Sequence, residues 1–161
     1  MSRTAILTFL LAGCGAAELD GQYFDVTANG VENLCTGGGA GYSESFEYRI
    51  IIAGNDLQVA IADDIFATGT VEGCSLSYTS LVWSDYRDDK EIEWQIVGSA
   101  RAAAEVRAGC VEGGDWEGTE QFIIITSAHE EVQPGCTYDL AMTGKFLREV
   151  GGEEENEGPI Q

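Results

Sequence analysis

The side chains able to support catalysis are few in this sequence. His129 is the only histidine, and it follows an apolar segment. No nucleophile motif accompanies it. Carboxylates that are neighbours in sequence point apart on a strand or splay in a loop, which makes them poor acid–base pairs; three such pairs occur, at Asp63-Asp64, Asp88-Asp89 and Glu130-Glu131. We therefore interpret His129 as a solvated loop residue and predict that the protein is not an enzyme.

Two acidic loops carry the hard oxygen ligands that calcium accepts. One loop holds Asp85, Asp88 and Asp89, and the other holds Asp115. Neither loop has the spacing of a known calcium-binding loop, so solvated acidic turns are the simpler interpretation. The prediction is no metal site and no cofactor, with these four residues as the candidates should calcium bind.

The cysteines indicate disulfides. Cys35, Cys74, Cys110 and Cys136 are widely spaced, and the sequence has no C-x-x-C and a single histidine, which argues against a zinc or redox site. Two disulfides in an oxidising compartment are the natural interpretation. Four cysteines allow three pairings. The fifth, Cys14, is left unpaired and needs another role.

Cys14 follows an apolar N-terminal segment of the kind that directs export. Arg3 precedes the apolar residues 4–11, and the uncharged stretch of about fourteen residues is shorter than the about 20 of a membrane-spanning helix. The run Leu11-Ala12-Gly13-Cys14 resembles the lipobox of bacterial lipoproteins. The resemblance covers only this N-terminal segment. It implies cleavage before Cys14, lipid on its sulfur, and a bilayer as partner.

The lipobox resemblance also implies a location and a domain plan. Gly15 follows the cysteine, which resembles the pattern of lipoproteins sorted to the outer membrane, facing the periplasm or the cell surface. We predict a cleaved signal peptide at 1–13, a lipidated N-terminus and short tether at 14–20, a β-domain at 21–148 and a disordered acidic tail at 149–161.

The charge excludes one class of partner. The chain holds 28 acidic and eight basic residues, for a net charge of −20, and loss of Arg3 with the leader makes it −21. Nucleic-acid binding requires a basic stripe that displaces counterions from phosphates. No nucleic acid is therefore expected. Solubility or adaptation to a salty habitat explains the acidity, and a basic partner or loosely held cation is the alternative.

From residue 21 to residue 148 the apolar residues recur every second position, which is typical of half-buried strands. Ile92, Trp94 and Ile96 alternate with acidic and amide side chains. The pattern predicts eight or nine short strands, near 22–28, 45–53, 57–62, 65–72, 75–83, 91–98, 101–108, 120–127 and 137–147. Short links between them favour an all-β antiparallel meander closed as a small barrel, with a β-sandwich as the alternative. Simple up-and-down alternation of these strands favours the pairings Cys35–Cys110 and Cys74–Cys136.

Two features bear on binding. Trp116 lies among glycines and acids, so it either folds over one end of the barrel or is an exposed contact for a partner or a sugar.

Gly21-Gln22-Tyr23 and the late Arg148 faintly resemble lipocalins, which begin Gly-x-Trp and pack a late arginine over that ring. If Ala102 and Ala104 face inward, they leave room opposite Trp94 and Phe122.

The sequence therefore predicts a membrane-anchored envelope lipoprotein whose β-domain serves in binding or envelope architecture. The alternative is a lipocalin-like carrier of a small apolar ligand. A filled interior would favour the first function and an internal cavity the second. The protein or small-molecule partner is not identified by any motif.

Overall fold

The computed structural model describes residues 18–35, 43–102 and 114–151, and these residues form strands and turns without a helix. In these ranges no helix is long and apolar enough to cross a bilayer. The nine strands, in chain order, are β1 (Gly21–Asn33), β2 (Ser43–Ala53), β3 (Asp56–Ile61), β4 (Asp64–Glu72), β5 (Ser75–Ser80), β6 (Trp83–Arg87), β7 (Lys90–Ala102), β8 (Trp116–Ser127) and β9 (Thr137–Val150). The predicted all-β class is confirmed.

The strands form one antiparallel sheet whose ladders close on themselves. Each strand from β1 to β5 pairs with the next, β5 pairs with β7, and β7, β8 and β9 follow in order until β9 pairs with β1. The result is a ring of eight hydrogen-bonded strands, with β6 paired to β7 beside it. The antiparallel meander is thus confirmed. Because all nine strands belong to one sheet, the sandwich alternative, which needs two sheets, is not adopted.

β5 and β6 are two parts of one interrupted strand. β5 pairs with residues 97–101 of β7, and β6 pairs with residues 90–94 of the same strand. At the interruption, the buried Ser80 hydroxyl accepts a hydrogen bond from the Ile96 N–H at 2.8 Å, so a side chain replaces the missing ladder bond. β6 then turns into β7 at Asp88 and Asp89, whose positive φ angles of 49° and 61° are those of a two-residue hairpin turn.

The prediction of separate strands at 91–98 and 101–108 is wrong, because β7 runs without a break through Gly98 to residue 102. Gly98 marks a close contact: a Cβ atom there would overlap the Tyr78 ring, which lies against the backbone. Counting one strand as two reverses the up-and-down order of every later strand. Residues 103–113, including Cys110 and Ala104, lie outside the described ranges.

This reversal overturns the predicted disulfide pairing. Cys35 is bonded to Cys136, across 101 residues of sequence, because the β1–β2 and β8–β9 links lie at the same end of the ring. The pairings Cys35–Cys110 and Cys74–Cys136 are therefore both wrong. Cys74 is disulfide-bonded as predicted. We call the end that carries Cys35–Cys136 and the β3–β4 turn the mouth end, and the opposite end the closed end.

The closed end is filled by aromatic side chains. Phe24 makes edge-on contacts with Trp116 and with Phe146, at ring-centroid distances of 6.1 and 5.7 Å. Trp116 is only 3% exposed, and its indole lies where a Cβ atom on Gly144 would be. Trp116 therefore folds over the end of the ring, and the alternative in which it is an exposed partner contact is wrong.

On the outside of the closed end, Arg148 secures the N-terminal segment. Its guanidinium carbon lies 4.2 Å from the centroid of the Tyr23 ring, the stacking that the lipocalin resemblance implies for this pair. The same group forms ion pairs with Glu18 at 3.0 Å and Glu47 at 3.1 Å, and these carboxylates raise the Arg148 pKa above its ordinary value.

β9 continues to Val150, two residues beyond the predicted end of the β-domain at residue 148. Residues 152–161 lie outside the described ranges.

Candidate functional site

A cavity of about 520 Å³ occupies the mouth half of the ring. Its walls come from six of the eight ring strands and from β6, because side chains at alternate positions of each strand point inward. Trp94 on β7 and Phe122 on β8 both border it. The described lining is Glu44, Phe46, Tyr48, Ile61, Phe66, Trp83, Trp94, Ile96, Glu120, Phe122 and Leu140.

Most of the lining is aromatic, and the rings touch one another in series. Successive ring centroids lie 4.7 to 6.0 Å apart through seven side chains, the spacing of favourable edge and tilted contacts. We call this series the aromatic run; in contact order it is Phe46, Tyr48, Phe66, Trp83, Trp94, Phe122 and Tyr138. Five of its members, all but Tyr48 and Phe66, are partly exposed, which places their rings at an open mouth.

A buried carboxyl group lies at the base of the cavity. Glu120 on β8 is 1% exposed, and its Oε1 accepts hydrogen bonds from the Tyr48 hydroxyl at 2.8 Å and the Tyr78 hydroxyl at 2.7 Å. These residues stand on β8, β2 and β5, three strands that share no ladder with one another. The cluster therefore joins separate parts of the ring wall across its interior.

The surroundings of Glu120 oppose its ionisation. Burial raises the pKa of the carboxyl group above the ordinary value, while the hydrogen bonds from Tyr78 and Tyr48 lower it in part. Burial also raises the Tyr78 pKa well above its usual range, and the neighbouring Glu120 adds to this. Tyr78 is thus held as a hydroxyl donor, and a positive charge entering the cavity would favour the carboxylate form of Glu120.

A second hollow of about 420 Å³ adjoins the cavity at the mouth. It shares Trp94 and Phe122 with the first and is otherwise bordered by the β6–β7 hairpin, Tyr138 and the Cys35–Cys136 region. The hairpin and the β8–β9 link are joined beside it, where the Ala128 N–H donates to the Glu91 carbonyl oxygen at 2.9 Å. These two segments therefore form one rim of the mouth.

His129 belongs to this rim and not to the cavity lining. Its Nδ1 accepts a hydrogen bond from the Glu131 N–H at 3.2 Å, which leaves Nε2 to donate to Asp88 at 3.3 Å. The side chain is only 8% exposed, so the interpretation of His129 as a solvated loop residue is wrong. It links the β8–β9 segment to the β6–β7 turn.

The acidic residues singled out from the sequence are not brought together. Asp85, Asp88 and Asp89 belong to the β6–β7 hairpin, whereas Asp115 accepts a hydrogen bond from the Phe146 N–H at 3.0 Å near the closed end. Within the described ranges no group of three or more histidine, cysteine, aspartate or glutamate side chains is placed to hold a metal ion. The paired acids at 63–64, 88–89 and 130–131 are all exposed.

Sequence reasoning missed Glu120, Tyr48 and Tyr78 as a functional group. The available signal was the alternation of side chains along β8. Glu120 stands two residues before Phe122 and four after Trp116, so it falls on the inward side of the strand. A carboxylate in phase with core aromatics is a buried charge, and buried charges require partners. The hydroxyl groups that supply these hydrogen bonds come from strands 72 and 42 residues away, which no local pattern reveals.

The chain was compared with protein-family models, with curated proteins and with solved structures. None of the three comparisons yields a match.

Proposed function

We propose that this protein binds a small, largely apolar molecule inside the strand ring and does not transform it. The observation that supports this most directly is the cavity of about 520 Å³ with aromatic walls and one polar cluster at its base. Small-molecule sites are concave, mostly apolar and furnished with a few placed polar groups, at volumes of about 300–1,000 Å³. An eight-stranded ring is wide enough either to be filled by side chains or to hold one such ligand.

The exposure of the aromatic run supports binding over a purely architectural role. Large rings left half-exposed around a hollow lose contacts that a filled interior would provide. A ligand restores these contacts on entering, because it replaces water against Trp83, Trp94 and Phe122. Sites of this kind gain affinity from apolar burial and orientation from the polar group.

Binding is also favoured over catalysis by the placement of the titratable groups. Glu120 Oε1 is engaged by two tyrosine hydroxyls that hold it still. His129 is bound to Asp88 on the rim. Nucleophilic catalysis needs a nucleophile and a base within hydrogen-bonding reach of each other and of the substrate, and the described lining of the cavity offers no such pair.

We further propose that the protein is anchored in the bacterial envelope through lipid on Cys14, as the lipobox resemblance implies. Glu18 is held by Arg148 at the closed end, only four residues after Cys14. Such a short link spans at most about 14 Å when extended. The closed end would then face the bilayer and the mouth would face the aqueous compartment.

Native mass spectrometry of the full chain, released gently from membranes, tests the binding function. Ile96→Trp places a large ring in the cavity, and Ile61→Trp narrows the half-exposed mouth with less strain on the core. Val97→Trp, on the outward face of the same strand as Ile96, is the matched control. We expect the wild type and the Val97 variant to carry a co-purified small molecule or take up added Nile red, and the two cavity variants to lose both. Equal uptake by all four proteins, or none by the wild type, would contradict the proposal.

The anchor has its own test. Cells supplied with an alkyne-labelled palmitate should label the wild type, and Cys14→Ala should abolish that label and release the protein from the membrane fraction. A double variant, Cys35→Ala with Cys136→Ala, is the control that keeps Cys14 and should keep the label. Labelling that survives in the Cys14 variant would refute the anchor without affecting the cavity.

A further inference from the structure

The ligand's polar group can be deduced from the carboxyl oxygen that the tyrosines leave open. Tyr48 and Tyr78 both donate to Oε1 of Glu120, and neither donates to Oε2. Glu120 is itself part of the cavity lining while being 1% exposed. A ligand that donates a hydrogen bond to Oε2 completes the coordination of this carboxyl group.

The lining selects the sign of the ligand's charge. It contains two carboxyl groups, Glu120 at the base and Glu44 at the mouth, and among its described residues no lysine, arginine or histidine. An anion would meet the carboxyl group of Glu120 in a partly dehydrated space, where like charges repel more strongly than in water. A cation supplies the positive partner that a buried carboxylate requires.

The aromatic run favours the same sign of charge. Ring faces carry negative potential and attract ammonium groups, most strongly for tryptophan. The ring centroids of Trp83 and Trp94 lie 4.7 Å apart beside the cavity. Phe66 contacts Trp83 and Phe122 contacts Trp94, so the two phenylalanines continue the wall on either side. The net charge of −20 adds a field that concentrates cations near the surface.

We infer that the ligand is a protonated amine on an apolar body, with its ammonium group donating to Glu120 Oε2 and its body lying against the aromatic run. This assignment rests on the proposed binding function and adds the chemical class of the ligand to it. The Tyr48 and Tyr78 hydroxyls fix the orientation of the carboxyl group, so they act as positioning residues. A neutral donor such as an alcohol is the competing ligand class.

Three small probes with nearly the same phenyl body separate these classes: phenethylamine, phenethyl alcohol and hydrocinnamate, which are cationic, neutral and anionic at neutral pH. Calorimetric titration of the full chain in detergent should give the tightest binding for the amine and the weakest for the acid. Hydrogen bonds to charged groups are worth enough to make the amine bind at least about tenfold tighter than the alcohol.

Glu120→Gln is the variant that isolates the charge, because the amide oxygen still accepts from both tyrosines. It should remove the amine's advantage and leave the affinity for the alcohol nearly unchanged. Glu117→Gln, on the exposed outward side of the same strand, is the control and should change the amine's affinity by less than about threefold.

The two proposals fail in different ways. An alcohol that binds the wild type as tightly as the amine, or an amine advantage that persists in Glu120→Gln, would overturn the cationic ligand and leave the binding function standing. Failure of all three probes, together with a ligand-free protein that takes up no Nile red, would overturn the binding function itself. The probe ranking on the wild type needs no variant, so it decides the matter even if Glu120→Gln does not fold.

Discussion

The two ends of the ring use the same aromatic side chains for opposite purposes. At the closed end, Phe24 packs edge-on against Trp116 and against Phe146, and Trp116 lies on the backbone at Gly144. At the mouth end, Trp83, Trp94 and Phe122 border the cavity and remain partly exposed. Aromatic content alone therefore does not distinguish a core from a binding site; what the rings face decides it.

Both ends carry disulfide-bonded cysteines, Cys74 at the closed end and Cys35–Cys136 at the mouth, but they differ in how their interiors are packed. The closed end is stabilised by packing, since Trp116 is buried and lies directly on glycine backbone. The mouth end cannot be packed in this way without losing the cavity. There the Cys35–Cys136 disulfide and the link between β6–β7 and β8–β9 join segments that surround an open space.

The largest expected effect on the free energy of unfolding comes from removing the Trp116 side chain from the closed end. Trp116→Ala should lower the free energy of unfolding by about 3–5 kcal/mol, the usual cost of removing a buried tryptophan. Trp94→Ala at the mouth should cost only about 1–2 kcal/mol, because a half-exposed ring buries less surface, yet it should weaken ligand uptake. Urea unfolding of both variants measures the difference. Equal losses would mean that the mouth is an ordinary core and would break the comparison.

Removing the mouth disulfide should rank next. The double substitution Cys35→Ser and Cys136→Ser removes the cross-link that closes a long loop in the unfolded chain. Because the unfolded chain then gains conformational entropy, we expect a loss of about 2–4 kcal/mol in the free energy of unfolding. Ligand uptake should fall as well, since Cys35 borders the hollow beside the cavity. If stability and uptake both stay at the wild-type level, the mouth keeps its shape without the covalent link.

Gly98→Ala tests the contact that sets the position of Tyr78. The added methyl group overlaps the Tyr78 ring, so the ring must move away from Glu120. We expect a loss of about 1–3 kcal/mol by overpacking, with weaker ligand uptake. Ser99→Ala, on the outward face next to it, should stay within about 0.5 kcal/mol of the wild type. Unfolding by urea, with near-ultraviolet circular dichroism to report on the tyrosine, compares the two.

The smallest expected effect is on the dependence of stability on pH. Because the folded-state pKa of Glu120 is raised, its protonated form favours folding. This contribution is complete below the unfolded pKa of about 4.3 and is lost as pH rises through the folded value. Glu120→Gln cannot ionise, so its stability relative to the wild type should increase as the solution passes from acid to neutral pH. A difference that stays constant with pH would show that Glu120 is neutral or equally ionised in both states.

The sequence predicted the period of the strands and their number, eight or nine, but misplaced the boundaries between residues 83 and 101. Alternation of Ile92, Trp94 and Ile96 located β7, because inward positions of a half-buried strand must be apolar. The break predicted between the strands at 91–98 and 101–108 is absent, because Gly98 continues the strand and makes room for the Tyr78 ring from β5. The pairing of cysteines depended on the strand count, so this single error carried over to the disulfide.

The candidate site was predicted only in part. Trp94 and Phe122 were expected to lie opposite a space left by Ala102 and Ala104. Both rings do border the cavity, but Ala102 pairs with Trp116 at the closed end, and Ala104 lies outside the described residues. Glu120 was not expected, and neither was its pairing with Tyr48 and Tyr78, since polar residues on strands are usually directed at solvent. The partners of a buried charge come from distant strands and emerge only when the ring is closed.

Ring closure has a consequence for the order in which this chain can mature. β1 needs β9 as its second neighbour, and Cys35 needs Cys136, which follows it by 101 residues. During synthesis from the N-terminus, the first strand therefore has one open edge, and Cys35 just after it lacks its partner Cys136, until almost the whole chain is available. Cys74 is made well before Cys136 and is the nearer partner for a premature bond. The native bond therefore forms either because Cys35 stays unoxidised until Cys136 is made or because a premature bond is exchanged for it.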